Sequence, residues 1–269
     1  MVRNGHFTEC AASGSMAAMN AAADSTGTTL PPGTAVPPGA TVPPHGTASP
    51  GPQEPGGLLD LAPVIPVVVV EDAETAVPLA RALVAGGLPA IEVTLRTPAA
   101  IAAIRAVAAE VPQAVVGAGT VLTPAQAGEV AAAGARFLVS PGCTERLLDA
   151  MRQTGLPFLP GVATASEALA LLEHEVRELK FFPAEAAGGA RCLRALAGPL
   201  PQLRFCPTGG ITARSATEYL ALPNVGCVGG SWMVPADAVA ARDWPRVQRL
   251  AAEAAALGGR SGAPDRAPA

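Results

Sequence analysis

Between about residues 58 and 258 the sequence repeats one pattern eight times: a short apolar run, a Gly or Pro break, and an alanine-rich amphipathic segment. Short apolar runs are typical of strands buried on both faces, and amphipathic segments are typical of the helices that cover such strands. A chain in which strands and helices alternate forms a parallel sheet. This pattern therefore restricts the chain to a parallel α/β domain.

Eight strand–helix units in about 200 residues predict a single-domain parallel (β/α)8 barrel of the TIM type, and a doubly wound open sheet is the alternative. The predicted strands are Val64–Val70, Ala90–Leu95, Ala114–Gly119, Phe137–Ser140, Pro157–Leu159, Leu179–Phe182, Leu203–Cys206 and Val225–Gly229. The predicted helices begin near Ala73, Pro98, Pro124, Thr144, Ala165, Gly189, Ala213 and Trp244.

The two ends of the chain differ in composition from this domain. Residues 1–57 are rich in Pro, Gly, Ala and Thr, and residues 259–269 in Gly, Ser, Pro and Ala. Such segments bury too little apolar surface to offset their chain entropy. We expect a disordered extension at residues 1–57, the barrel at 58–258 and a disordered tail at 259–269. The first thirty residues match neither a secretory nor a mitochondrial signal.

Charge and composition argue against several classes of function. The net charge of −4 and the pI near 5.4 do not suit a nucleic-acid or anionic-membrane partner. The longest apolar run, Leu61–Val70, is too short to span a bilayer. Five cysteines without CxxC spacing and three histidines predict free thiols in the cytoplasm and no metal site.

The single lysine of the chain, Lys180, lies within the predicted strand Leu179–Phe182, whereas the other basic residues are all arginine. A charged group is costly to bury, and desolvation lowers the pKa of an amine, which can then attack a carbonyl to form a Schiff base. Arginine cannot perform this reaction. The alternative is a lysine whose stem lies on the barrel rim with its head in water.

The second predicted strand carries three polar residues, Glu92, Thr94 and Arg96, at alternate positions. Alternate residues share one face of a strand, so these three would face the barrel interior. One interpretation gives Arg96 a substrate carboxylate to bind and Glu92 a proton to transfer. The other is a structural ion pair between Glu92 and Arg96.

Glycine-rich segments follow three other strands. The glycines of Gly117-Ala-Gly-Thr120 would admit a ligand beside the hydroxyl of Thr120. Thr208-Gly-Gly-Ile211 and Gly229-Gly-Ser231 follow the last two strands, where barrels of this kind often bind phosphate through backbone N–H groups. Each segment alone is equally consistent with a tight turn, but together they favour a phosphate site.

Taken together, six motifs resemble the 2-dehydro-3-deoxy-6-phosphogluconate (KDPG) aldolases, a bifunctional family that also cleaves 4-hydroxy-2-oxoglutarate (KHG). The resemblance extends from about Leu58 to Gly258, in order and with consistent spacing. The motifs are Pro63-Val-Ile-Pro-Val67, Glu92-Val-Thr-Leu-Arg-Thr97, Val116-Gly-Ala-Gly-Thr-Val-Leu122, Lys180-Phe-Phe-Pro-Ala-Glu185, Phe205-Cys-Pro-Thr-Gly-Gly-Ile211 and Gly229-Gly-Ser-Trp232.

The resemblance implies a role for each matching residue. Lys180 would form the Schiff base and Glu92 would be the acid/base residue. It further implies a homotrimer that needs no cofactor or metal and serves the Entner–Doudoroff pathway in the bacterial cytoplasm. Near these motifs, only Cys143 and Ala187 differ from the pattern of the family. For substrate binding it implies Arg96 and Thr120 at the pyruvyl carboxylate, Phe182 beside the imine, and Gly209, Gly210 and Ser231 at the phosphate, with help from Thr208.

The function that follows is metal-independent class I cleavage of KDPG to pyruvate and glyceraldehyde 3-phosphate, and of KHG to pyruvate and glyoxylate. An aldolase of the 6-phosphogalactonate type is one alternative, although Thr94-Leu-Arg-Thr97 favours the gluconate branch. The other two alternatives are a metal-dependent aldolase or decarboxylase acting on 2-oxo acids, and a non-catalytic barrel that binds a sugar phosphate.

Overall fold

The structure is a computed structural model, and it describes residues 57–260. The extension predicted at residues 1–57 therefore lies, except for Gly57, outside the described residues, as does the tail from residue 261 onward. The strands are β1 (Val64–Val68), β2 (Ala90–Thr94), β3 (Val115–Gly119), β4 (Leu138–Val139), β5 (Phe158–Leu159), β6 (Gly161–Val162), β7 (Glu178–Phe181), β8 (Arg204–Pro207) and β9 (Val228–Gly230). The helices are α1 (Ala73–Ala85), α2 (Ala100–Glu110), α3 (Pro124–Ala132), α4 (Glu145–Gln153), α5 (Ala165–Glu173), α6 (Gly189–Leu196), α7 (Ala213–Leu220), α8 (Ala236–Ala240) and α9 (Trp244–Ala255), with 3₁₀ turns at Leu58–Asp60 and Ala256–Arg260.

The strands form two parallel sheets. Six of them lie in the order β5-β4-β3-β2-β1-β9, and three in the order β6-β7-β8. Neighbours in each sheet follow chain order, apart from the β1–β9 pair, so the sheets lack the central reversal of a doubly wound fold. The predicted parallel α/β architecture is confirmed, with the sheet curled.

Two features connect the sheets. Only Pro160 separates β5 from β6, and its carbonyl accepts a hydrogen bond of 3.0 Å from the N–H of Lys180 on β7. At the other side, Thr208 beyond β8 pairs in parallel with Gly229 of β9. One chain segment therefore passes from the first sheet to the second, and at their other edges this bridge and a second one, between Phe205 of β8 and Val225 before β9, join them.

Alternate residues of the strands pack on opposite sides of the sheet. The larger apolar cluster lies between the strands and the helices and includes Ile91, Val93 and Val116. A second cluster contains residues of the opposite parity, such as Ile65 and Ala90, and it is covered by Leu58 and Leu59 of the first 3₁₀ turn. On β2, Ala90 of this inner cluster precedes Glu92, so the polar side chain lies nearer the carboxyl end of the strand.

Capping residues fix the start of several helices. Thr123, Thr164 and Thr212 each form a reciprocal capping box at the first turns of α3, α5 and α7. Asp72 accepts a hydrogen bond of 2.7 Å from the N–H of Thr75 at the start of α1. These caps hold the loops that leave the carboxyl ends of the strands.

Several predicted boundaries were wrong. The first strand ends at Val68 and the second at Thr94, and α2 begins at Ala100 rather than at Pro98. The hydroxyl of Thr97 donates to the carbonyl of Val70 and holds this segment as a turn. Strand β6 and the short helix α8 were not predicted, because β6 is two residues long and α8 five, too short for a periodic pattern. Within residues 57–260, no helix combines the length and apolar character needed to cross a membrane.

Candidate active site

Lys180 and Glu92 are in direct contact inside the curled sheet. Lys180 lies on β7 and Glu92 on β2, and 3.1 Å separates Nζ from Oε1. The two side chains are only 7% and 4% exposed. The structure thus places the lysine head in the interior rather than in water. Within the described residues, Glu92 pairs with Lys180. The alternative ion pair between Glu92 and Arg96 is not formed there.

Strand β3 makes room for the Glu92 carboxylate. Glu92 and Thr94 of β2 pair with Gly117 and Gly119 of β3. A Cβ atom at Gly119 would lie 2.1 Å from Oε1 of Glu92, so any side chain there would force the Glu92 carboxylate to move. A Cβ at Gly117 would likewise meet the ring of Phe137 at 2.5 Å. The two glycines therefore let one acid and one aromatic ring lie across the strand.

Phe182 lies beside the amine. Its ring centroid is 5.4 Å from Nζ of Lys180, within the range of a cation–π contact. The preceding Phe181 points to the helix side and packs edge-on against Phe205, with the ring centroids 6.4 Å apart. The two consecutive phenylalanines thus serve opposite faces of β7, and only Phe182 contributes to the site.

The residues expected to bind a carboxylate, Arg96 and Thr120, follow the adjacent strands β2 and β3. Arg96 is exposed in the turn beyond Thr94. It therefore lies beyond the end of β2 and not on the inner face of that strand, where the alternation predicted it. Thr120 is half-buried and has a φ of 59°, an uncommon conformation for a β-branched residue. Thr94 donates to the carbonyl of Val68 at 3.0 Å and therefore joins β2 to β1 instead of facing a ligand.

The residues expected to bind phosphate meet at the carboxyl ends of β8 and β9. Thr208 is buried, and a Cβ at Gly229 would lie 2.2 Å from its hydroxyl oxygen. Gly209 and Gly210 have φ values of 103° and 80°, which favour glycine. Ser231 is exposed and lines a cavity of about 640 Å³ together with the end of β1 and the start of α8.

Other candidate groups of the described residues are less suited to chemistry. The Cys143 thiol is partly buried, and burial raises its pKa to about 11, so at neutral pH it is a protonated thiol. His174 is exposed at the end of α5. In the described range 57–260, no three His, Cys, Asp or Glu side chains are grouped so that they could hold a metal ion.

Two further residues, Tyr219 and Ser140, were assigned no role from the sequence. Tyr219 of α7 donates a hydrogen bond of 2.9 Å to Glu185, which ends the Lys180-Phe-Phe-Pro-Ala-Glu185 motif. The available signal was that Tyr219 is the only tyrosine of the chain. Ser140, after β4, has a buried hydroxyl with no hydrogen-bond partner within the described residues.

Comparison with known proteins agrees with this geometry. The family model of KDPG and KHG aldolases matches residues 57–250. The chain belongs to this family. It is 55% identical to the KHG/KDPG aldolase of Escherichia coli K12 over 197 residues, which cover 73% of this chain and 92% of that protein. It is 54% identical to the 2-dehydro-3-deoxy-phosphogluconate aldolase of Dickeya dadantii, over 74% of this chain and 93% of that protein.

A solved family member shows the chemistry directly. The crystal structure of KDPG aldolase from Legionella pneumophila, with pyruvate captured as a covalent carbinolamine intermediate, matches with a TM-score of 0.73 and 48% identity. The match covers 76% of this chain and 98% of that one. A carbinolamine forms when an amine adds to a carbonyl group, which is the first step towards a Schiff base.

Proposed function

We propose that this chain is a class I aldolase that cleaves KDPG to pyruvate and glyceraldehyde 3-phosphate and also cleaves KHG to pyruvate and glyoxylate. The observation that carries the proposal is the buried contact of 3.1 Å between Lys180 and Glu92 in a member of the KDPG and KHG aldolase family. Only a primary amine can form the Schiff base, and this chain has a single lysine.

The contact between the two groups accounts for the proposed proton transfers. Lys180 passes a proton to Glu92 and attacks the C2 ketone as a neutral amine, giving a carbinolamine. Loss of water gives an iminium ion, which withdraws electrons from the C3–C4 bond. Glu92, directly or through a water molecule, takes the proton of the C4 hydroxyl as that bond breaks and the aldehyde leaves. Protonation at C3 and hydrolysis then release pyruvate and restore the amine.

The remaining residues are proposed to hold the two ends of the substrate. Arg96 and Thr120, at the ends of β2 and β3, bind the pyruvyl carboxylate. Phe182 packs beside the imine. The phosphate is received by Gly209, Gly210 and Ser231, with assistance from Thr208. This division is supported by the strand order, because Lys180 lies on β7, the neighbour of β8, and Glu92 lies on β2, the neighbour of β3.

We further propose that the strands close into a complete (β/α)8 barrel over residues 58–258. The continuous segment β5–Pro160–β6 would count as one strand, and the Thr208–Gly229 bridge supports closure between β8 and β9. The active form is proposed to be a homotrimer in the cytoplasm that serves the Entner–Doudoroff pathway. The exposed apolar side chains of Val69 and Leu122 could contribute to contacts between subunits.

A coupled assay tests the proposal. Purified chain is incubated with KDPG, its C4 epimer or KHG, with and without EDTA, and lactate dehydrogenase reports pyruvate. We expect KDPG to be cleaved with a kcat in the common range of about 1–10³ s⁻¹, KHG more slowly, and EDTA to have no effect. Preferential cleavage of the epimer would instead indicate the 6-phosphogalactonate type. Binding of KDPG without pyruvate formation would indicate a non-catalytic barrel.

A further inference from the structure

The loop after Lys180 is bonded to the loop that is proposed to receive the phosphate. The N–H of Thr208 donates to the carbonyl of Phe181 at 2.9 Å, that of Ala184 to Thr208 at 2.8 Å, and that of Glu185 to Gly209 at 3.1 Å. These bonds continue the pairing of β7 with β8 beyond the strand ends. The position of the Gly209-Gly210 turn is therefore coupled to the loop that ends at Glu185.

One side-chain contact reinforces this coupling. Tyr219 lies on α7, the helix that follows the Gly209-Gly210 turn, and it is only 1% exposed. Its hydroxyl donates to Oε1 of Glu185 at 2.9 Å. Burial, together with this hydrogen bond, raises the pKa of Tyr219, so the hydroxyl keeps its proton at neutral pH.

Two glycines shape the space around the Glu185 side chain. A Cβ at Gly210 would lie 2.7 Å from Cγ of Glu185. Gly189, at the start of α6, has a φ of 63°, and a Cβ there would lie 3.4 Å from the hydroxyl oxygen of Tyr219. The stem of Glu185 thus packs directly against the phosphate turn, while its carboxylate is directed to the buried tyrosine.

We propose that the Glu185–Tyr219 hydrogen bond is a positioning element that holds the Gly209-Gly210 turn in place to receive the substrate phosphate. Because the stem of Glu185 packs against Gly210 and its N–H bonds the carbonyl of Gly209, a fixed Glu185 side chain also fixes the turn. This inference rests on the proposed function, because the phosphate has been assigned to this turn. It predicts that the pair matters for phosphorylated substrates and not for unphosphorylated ones.

Tyr219→Phe removes the hydroxyl and keeps the ring. KDPG and KHG share the pyruvyl half, but only KDPG carries a phosphate, so the two substrates separate the effects. We expect KM for KDPG to rise about three- to tenfold, as for the loss of one good hydrogen bond, with kcat unchanged. KM for KHG should stay at the wild-type value. Inorganic phosphate should compete with KDPG more weakly in the variant, by the same factor.

Thr217→Ala is the matched control, because Thr217 lies on the same helix, is exposed, and bonds only the carbonyl of Arg214 at 3.0 Å. Glu185→Ala should reproduce the effect of Tyr219→Phe, and the double variant should add nothing further. These Glu185 variants also carry the test if Tyr219→Phe unfolds. An unchanged KM for KDPG, or equal increases for both substrates, would refute the positioning role. If the wild type cleaves neither substrate, the proposed function fails instead.

Discussion

Strand β7 carries an ion pair near each end, and the two pairs are built differently. At its amino end, Glu178 contacts Arg204 at 3.1 Å, and Arg204 also binds Asp60. These three side chains are between 22% and 38% exposed. Towards the carboxyl end, Lys180 contacts only Glu92 among the charged groups of the described chain, and both are nearly inaccessible.

The two pairs differ in how much they can stabilise the fold, because one is partly hydrated and the other is nearly inaccessible. Arg204 binds two carboxylates through its guanidinium and remains partly hydrated, so desolvation opposes the attraction less than at the nearly inaccessible Lys180–Glu92 pair. A dry amine–carboxylate pair gains far less, because the desolvation of both ions offsets their attraction. The Lys180–Glu92 pair is therefore weak evidence for a contribution to stability, which is consistent with the catalytic role proposed for it.

The largest effect is expected at the carboxyl end of β7. Lys180→Arg keeps a cation beside Glu92 but removes the nucleophile, so KDPG cleavage should fall by about 10⁴-fold or more. The coupled assay measures the loss, and circular dichroism checks that the fold is intact. A folded arginine variant with substantial activity would show that the pair is merely structural.

Exchanging the two glutamates for glutamine compares the pairs directly. Glu92→Gln should lower kcat by about 10²- to 10⁴-fold, because an amide cannot shuttle protons. Glu178→Gln changes the ion pair at the amino end of β7 and should leave kcat near the wild-type value. Similar losses in both variants would contradict the division between the two ends.

The space that Gly119 leaves for Glu92 offers a subtler test. Gly119→Ala places a Cβ where Oε1 of Glu92 now lies, so the carboxylate must move and kcat should fall by about 10²-fold. Gly128→Ala is the control, because nothing lies within 4 Å of its added Cβ on the exposed face of α3. That change should stabilise the protein by about 0.5–1 kcal/mol and leave kcat unaltered. Full activity in Gly119→Ala would mean that the position of Glu92 is unimportant.

Arg204→Met should affect stability alone. Removing the guanidinium takes away the contacts of Arg204 with Glu178 and Asp60, and the free energy of unfolding should fall by about 1–3 kcal/mol in urea denaturation, with kcat retained. Arg249→Met removes an exposed partner of Glu253 at 3.9 Å and should change stability by less than about 0.5 kcal/mol. Equal stability changes at the two arginines would remove the distinction between the Arg204 cluster and an ordinary surface pair.

The smallest effect concerns pH. Burial raises the pKa of Glu178 above its ordinary value of 4.5, so the folded state holds that proton more tightly than the unfolded state. The resulting stabilisation is complete below the unfolded pKa and is lost as pH rises through the folded one. Glu178→Gln lacks this dependence. Wild-type stability relative to Glu178→Gln should therefore decline from pH 4.5 to neutral, and an increase over that range would contradict the assignment.

Much of this architecture could be predicted from the sequence, since the alternation of apolar runs and amphipathic segments is a local property. The inner orientation of Glu92 and Lys180 also follows from the two-residue period of a strand. The contact between them could not be predicted, because it joins residues 88 positions apart and depends on strand register. The bond between Tyr219 and Glu185 escaped notice for the same reason.

Predictions from the alternation of polar and apolar residues failed where a strand ended and a loop began. Arg96 continues the alternation of β2 in the sequence, yet the strand ends at Thr94 and the chain turns. The predicted strand Pro157–Leu159 ends before Pro160, yet the chain continues beyond that proline as β6, because Pro160 lacks an N–H but still offers its carbonyl to Lys180. The positive φ of Thr120 could not be predicted from its residue type, because threonine rarely adopts this conformation.

Reductive trapping tests the central claim most directly. The wild type is incubated with pyruvate and sodium borohydride, and intact-mass and peptide mass spectrometry locate the product. The Lys180–Glu92 geometry predicts one reduced pyruvyl group per chain, on the peptide that contains Lys180, and none on the Lys180→Arg variant. An unmodified wild type, or a pyruvyl group attached at any other site, would contradict it.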